Sequence, residues 1–138
     1  MSPKEAFVDD GWCYVCGRRN PEGMKLEFTV TGREVETTYR AEKRHQGYQD
    51  ILHGGYLAML MDEVLVYLPF KVLGAWSVTA EINMRLIRPV KTGQLVRARA
   101  FFLGKAEARD RMFDVGAECT VEDGMVVARC EGKCVRVR

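Results

Sequence analysis

The chain has little net charge, no long unbroken apolar stretch and no apolar run in its opening residues. Its 21 Lys and Arg against 19 Asp and Glu leave a formal charge of +2. That balance is too weak to point to nucleic acid, which calls for a strongly basic face, and it does not oppose a polyanionic small ligand. The longest apolar run, within residues 47–70, is broken by Asp62 and Glu63. Its helical part is roughly 16 residues, about 24 Å, too short for a membrane span. The opening residues MSPKEAFVDDGW are polar and of both signs, with no apolar segment of the signal-peptide kind. There is no repeat, low-complexity tract or linker. Five cysteines, an odd number without a secretion signal, do not make a disulfide framework. The expectation is reduced thiols in a cytoplasmic protein.

What the chain does have is the segment GYQDILHGGYLAMLMDEVLVYLPF, from Gly47 to Phe70. Leu57, Leu60, Met61, Val64 and Leu68 recur at helical spacing and predict a helix over 55–70. Ala58, Met59, Leu65, Val66 and Tyr67 fill most other faces, so protein must wrap it. Lys71 and Gly74 are its stop signals. Its front is His53-Gly54-Gly55. Glycines there admit a backbone or ligand, and the free N–H groups of a first turn stabilise a developing oxyanion. Asp62 and Glu63 interrupt the apolar pattern. A carboxylate in a buried helix is costly unless it is paired or used; the alternative is that it faces solvent or an interface salt bridge.

Around this helix the period switches to two. Met24, Leu26, Phe28 and Val30 alternate with polar residues and predict a first strand. After a turn at Thr31-Gly32-Arg33, Val35, Thr37, Tyr39 and Ala41 predict its hairpin partner. Beyond the helix, Val78, Ala80, Ile82, Met84 and Leu86 share a face, with Thr79 on the opposite one. Strands then follow through Val96 to Phe102, Phe113 to Val121 and Val126 to Cys134, the last two joined by the tight-turn signal Glu122-Asp123-Gly124. Ala98, Ala100, Ala117, Ala128 and Gly132 leave room for a helix across the sheet. The order β-β-α-β-β-β-β predicts an α+β fold, an antiparallel sheet of about six strands curled around one long central helix. Residues 1–138 form a single predicted domain, with 1–23 as a lead-in. A curled sheet leaves edges that need pairing, and Ser77 to Arg88 is the candidate edge strand.

Cys13 and Cys16 have the spacing of half a tetrahedral zinc site. Cys130 and Cys134 cannot supply the other half, because four strand residues separate them by about 13 Å. A redox pair lacks its usual strand–helix setting. The expectation is therefore no metal and no cofactor, with structural cysteines.

HQGYQDILHGGYLAMLMDE resembles the helix signature of hotdog-fold acyl-CoA thioesterases, in particular the PaaI-like (phenylacetyl-CoA) branch of the 4-hydroxybenzoyl-CoA thioesterase superfamily. The match is His-Gly-Gly with an acidic residue eight positions after the first glycine, Gly54 and Asp62 here. His45-Gln46-Gly47 matches the upstream His-Gln-Gly. Cys13, Cys16, Gly17, Asn20, Pro21 and Gly23 match a sub-branch motif, and the segment 88–93 resembles the family's later strand–turn. The resemblance covers roughly Trp12 to Lys133.

It implies the hotdog fold, subunits paired edge to edge with active sites between them, a homodimer or homotetramer, and hydrolysis of an acyl-CoA thioester. The Gly54 N–H would polarise the carbonyl, and Asp62 of the partner would act as general base or nucleophile. Glu63 is the rival carboxylate, about 100° round the helix, with a supporting role. His53 would orient the thioester or hold the loop, and Gln46 would position substrate or loop backbone. Thr79 would help place water if its face meets the partner. Relatives often carry asparagine where this chain has Gly47, which removes the usual side-chain helper. For substrate binding the expectations are Gly55, Tyr56, Glu63, Arg85, Arg88 and Lys91, with Met59 or Leu60 beside Tyr56 in an acyl pocket. The competing reading is a hotdog domain that binds acyl-CoA without turnover, as a sensor or carrier. A hydratase would need a different His and Asp or Glu pattern, which is not found.

Overall fold

The apolar helical period emerges as α1, Gly54–Leu73. It begins one residue earlier than expected and ends at Gly74, whose φ of 67° places it in the left-handed region that glycine adopts freely. The Gly74 N–H returns to the Phe70 carbonyl and the Ala75 N–H to that of Pro69, closing the last turn. The computed structural model describes residues 7–137, so the first six residues of the expected lead-in lie outside the described residues.

Six strands accompany α1: β1 (Thr29–Thr31), β2 (Glu34–Arg40), β3 (Ser77–Leu86), β4 (Leu95–Phe102), β5 (Met112–Thr120) and β6 (Val126–Arg136). They form one sheet in the order β1-β2-β4-β5-β6-β3, with every neighbour antiparallel. The sheet curls around α1 as a hotdog fold. Leu57, Leu60, Met61, Val64, Leu65 and Leu68 are buried against Val35, Val96, Phe113 and Val115. Each such side chain contributes about 1.5–3 kcal/mol on burial. Ala98, Ala100, Ala117 and Ala128 are buried beneath the helix, as their size suggested. A Cβ on Gly132 would lie 2.4 Å from the Glu81 carbonyl oxygen, so that position has no space for a side chain.

Two strand expectations need the larger corrections; a smaller slip opposite Cys119 and Thr120 buries Val127 at the start of β6, where strict alternation from Ala128 would bury Val126. The first strand does not run from Met24 to Val30; only Thr29–Thr31 pairs with β2. Lys25 takes φ 52°, and the Met24 and Leu26 N–H groups donate to the Tyr14 and Val15 carbonyls. The lead-in has captured the backbone groups that a longer hairpin would use. Val30, expected to face inward, is 42% exposed.

The second correction concerns β3. Its ladder with β6 slips between Thr79 and Glu81. Thr79 pairs with Cys134, whose thiol reaches the Leu65 carbonyl of α1, so Thr79 faces the helix and not the opposite side. After the slip Ile82 and Met84 take over that face. An extra residue in one strand reverses the alternation that period two assumes. β3 is also an edge of the sheet, as expected for Ser77 to Arg88, and its outer side has no strand partner among the described residues.

Candidate active site

His53 caps α1. Its Nδ1 accepts the Gly55 N–H at 2.9 Å, which assigns the ring proton to Nε2. The His53 N–H donates to the His45 carbonyl at 3.0 Å and its carbonyl accepts from Tyr56 at 2.9 Å. The Gly54 N–H is left with no acceptor among the described residues. It is an unused donor at the positive end of a 20-residue helix. A Cβ on Gly54 would lie 2.7 Å from Leu86 Cδ1, so glycine lets β3 close over the helix front. Between them is a cavity of about 550 Å³, lined by Gly47, Ile51, His53, Gly54, Leu86 and Arg88 among others.

The loop before α1 is held by backbone pairs. Gln46 bridges Leu52, Ile51 bridges Lys91, and Leu52 donates to Val90. Gln46 Oε1 accepts the Asp50 N–H at 3.0 Å, so this side chain is spent on the loop. His45 is buried, its Nδ1 bonded to Tyr39 Oη and its ring stacked on Tyr56 at 4.2 Å. Burial holds its pKa below the ordinary value, with Glu42 opposing. Tyr56 Oη shares a 3.0 Å hydrogen bond with Tyr14 Oη, and burial, then Tyr14, pushes its phenol up to about 12. Tyr56 therefore belongs to an aromatic cluster under the loop and does not line the Gly54 cavity. Leu60 is fully buried in the core and offers no pocket wall.

Asp62 is half-buried on α1, eight residues beyond Gly54. At 1.5 Å per residue that is about 12 Å along the axis. The two cannot touch the same carbonyl within one chain. Asp62 faces β6 closely enough for its charge to bear on Cys130 and Cys134, although burial is the main cause that raises those thiols, each to about 11. Ser77 Oγ and Thr79 Oγ1 are buried without a hydrogen-bond partner among the described residues, close enough to Cys134 to oppose part of its rise.

Glu63 points elsewhere. Cys13 Sγ donates to its Oε1 at 3.5 Å, and burial raises its carboxyl above the usual range. Tyr67 Oη donates to Cys16 Sγ at 3.2 Å; burial, helped by Glu63, pushes the Cys16 thiol up to about 12. Sequence reasoning missed this grouping because its members lie about fifty positions apart; an acidic residue on a buried helix and an unpaired Cys-x-x-Cys were its only signals. The cluster borders a second cavity, about 480 Å³, walled by Trp12, Val66, Tyr67, Phe70 and Trp76. Of the expected basic groups, Arg88 lines the Gly54 cavity, Arg85 lies further along β3 beside Arg129, and Lys91 is exposed on the loop bridged to Ile51.

A family model described as the Thioesterase superfamily matches residues 49–128, from the loop before α1 into β6. The chain belongs to the thioesterase superfamily. No curated protein matches this superfamily member significantly. Several solved structures share its fold. A thioesterase superfamily protein superposes with TM-score 0.78 at 22% identity, over 91% of this chain and 60% of that one. The chain thus spans less than two thirds of that relative's length. The E. coli PaaI protein from the phenylacetic acid degradation operon gives TM-score 0.73 at 18% identity, covering 82% and 80%. A hypothetical thioesterase from Streptococcus pneumoniae TIGR4, solved with coenzyme A, gives 0.72 at 16%, covering 80% and 87%. At these identities the likeness is one of fold.

Proposed function

We propose that the chain is an acyl-CoA thioesterase of the PaaI-like branch, acting in the cytoplasm as a homodimer or homotetramer. The observation that carries the reading is the Gly54 N–H at the front of α1, without an acceptor among the described residues and beside an open cavity that β3 helps to line. That donor suits a thioester carbonyl whose oxygen gains charge during attack. Membership of the thioesterase superfamily and the coenzyme A in the Streptococcus pneumoniae neighbour support a CoA thioester as the ligand class.

The 12 Å offset between Gly54 and Asp62, about eight helical rises, calls for a second copy. Pairing of two β3 edges would bring Asp62 of one subunit to the other subunit's Gly54. Asp62 then attacks the carbonyl carbon directly or removes a proton from water that does so. Attack forms a C–O bond and breaks the C–S bond; on the water route Asp62 returns the abstracted proton to the departing CoA sulfur, and on the direct route water then opens the acyl-Asp62 anhydride, releasing the acid and supplying that proton. Thr79, half-buried beside the helix with its Oγ1 unpaired among the described residues, would orient water. Gly55 and His53 shape the cap, and Gln46 holds the loop. Arg88, with Arg85 and Lys91 further out, offers guanidinium and ammonium groups for the CoA phosphates.

One observation favours the alternative, a domain that binds acyl-CoA without turnover. Gln46 is spent on Asp50, Gly47 has no side chain, and among the described residues no amide side chain lines the Gly54 cavity. Hydrolysis of short, long and aromatic acyl-CoA esters, followed by chromatography of free CoA, separates the two. Turnover of at least one ester is expected. Tight binding without release of CoA from any ester overturns the enzyme reading.

A further inference from the structure

The lead-in and α1 share a cluster that stands outside the Gly54 cavity. We propose that Cys13, Cys16 and Glu63 form a binding site for a zinc-class divalent cation, which pins the lead-in to the central helix. Their ligand atoms, two sulfurs and a carboxylate oxygen, all lie within 4.8 Å of one another. Cys13 Sγ and Glu63 Oε1 are 3.5 Å apart. A tetrahedral ion about 2.3 Å from sulfur and about 2.1 Å from oxygen sets that edge at about 3.6 Å, so this pair already stands at coordinating separation.

The backbone is shaped for it. The Gly17 N–H donates to the Cys13 carbonyl at 2.8 Å, and a Cβ on Gly17 would lie 2.5 Å from both Cys13 N and the Gly11 oxygen. Only glycine fits this turn, which folds the Cys-x-x-Cys back on itself so that both sulfurs reach Glu63. Tyr67, one helical turn beyond Glu63, donates its hydroxyl to Cys16 Sγ at 3.2 Å. Such an outer donor orients a thiolate ligand. Two thiolates and one carboxylate suit Zn²⁺ and not the oxygen-seeking Mg²⁺ or Ca²⁺. Cys13, Cys16 and Glu63 line the aromatic cavity of about 480 Å³, from which water would complete the shell. On binding, the Cys13 and Cys16 thiol protons leave to solvent and sulfur lone pairs go to the ion. The cation also supplies the charge partner that the half-buried Glu63 carboxylate otherwise lacks among the described residues. The site stands apart from the hydrolytic reading, and its test reads no activity.

The experiment titrates reduced, metal-stripped full-length protein with Co²⁺ and then competes with Zn²⁺. The expected result is one ion per chain, thiolate-to-cobalt charge-transfer absorption, the visible bands of a tetrahedral ion, and loss of both on adding Zn²⁺. Glu63→Gln, with its circular dichroism unchanged, weakens Co²⁺ binding by about 10-fold or more. Charge-transfer bands that survive in the Cys13→Ser, Cys16→Ser double variant overturn the site. So does Glu63→Gln protein that binds Co²⁺ as tightly as the unsubstituted chain. Should the variants fail to fold, the unsubstituted protein alone decides: no charge-transfer absorption contradicts the proposal.

Discussion

Cys134 gives its thiol hydrogen to the Leu65 carbonyl, 3.5 Å away. In an uninterrupted helix that carbonyl would accept from residue 69, but that position is Pro69 and has no N–H. The last strand of the sheet therefore satisfies an acceptor that the central helix leaves open. Cys134→Ala is expected to cost about 1–2 kcal/mol in urea denaturation, from a lost donor and a small void. In a Pro69→Ala background the cost should shrink, because the alanine's backbone N–H reaches the same carbonyl. An equal cost in both backgrounds contradicts the pairing.

Leu86 and Gly54 are coupled by space. A methyl on Gly54 would meet Leu86 Cδ1 at 2.7 Å, yet Leu86 is 52% exposed and can be cut back. Gly54→Ala should lower kcat/KM on the order of 10²-fold by shifting the helix front against the thioester. Adding Leu86→Ala should restore most of that loss. A double variant no better than Gly54→Ala alone assigns the defect to the backbone and not to this contact.

His45 makes stability depend on pH. Burial lowers its pKa in the folded chain, and Tyr39 holds the neutral ring. Between that lowered value and the unfolded value of about 6.5, the unfolded chain binds the extra proton. Stability is therefore full above about pH 6.5 and falls as pH drops toward the folded value. Urea midpoints should decline between about pH 7.5 and about pH 5, and the decline should flatten in His45→Gln. An unchanged slope in that variant rules His45 out as its source.

A site shared between subunits predicts complementation. Asp62→Asn and Gly54→Trp homodimers should each be inactive. Mixed and reannealed, they yield hybrids in which one site has both an intact Gly54 and an intact Asp62. Random pairing should recover roughly a quarter of full activity. A site built within one chain recovers none.

Much of the architecture could be read from periodicity because burial enforces it. The α1 stripe from Leu57 to Leu68 and the inward faces of β2, β4, β5 and of β6 from Ala128 onward follow directly from the spacing of apolar residues. What failed depended on events that period cannot encode. The slip between Thr79 and Glu81 turned Thr79 toward the helix. The lead-in took the hydrogen bonds of residues 24–26 and shortened β1. The site divides in the same way. The cap and the unused donor at His53-Gly54 follow from local sequence, whereas Glu63 met Cys13 only through the fold. Tyr56 sits beside the glycines in sequence but stacks on His45 beneath the loop.

The proposed hydrolysis turns on one carboxylate of α1, Asp62. The most direct measurement is kcat for Asp62→Asn against the unsubstituted protein, with the best acyl-CoA ester and free CoA read by chromatography. Asparagine keeps the size of the side chain and removes its basicity. The expected result is a loss on the order of 10²-fold or more, as for removal of a general base or nucleophile. An Asp62→Asn protein that turns over within a few-fold of the original contradicts it.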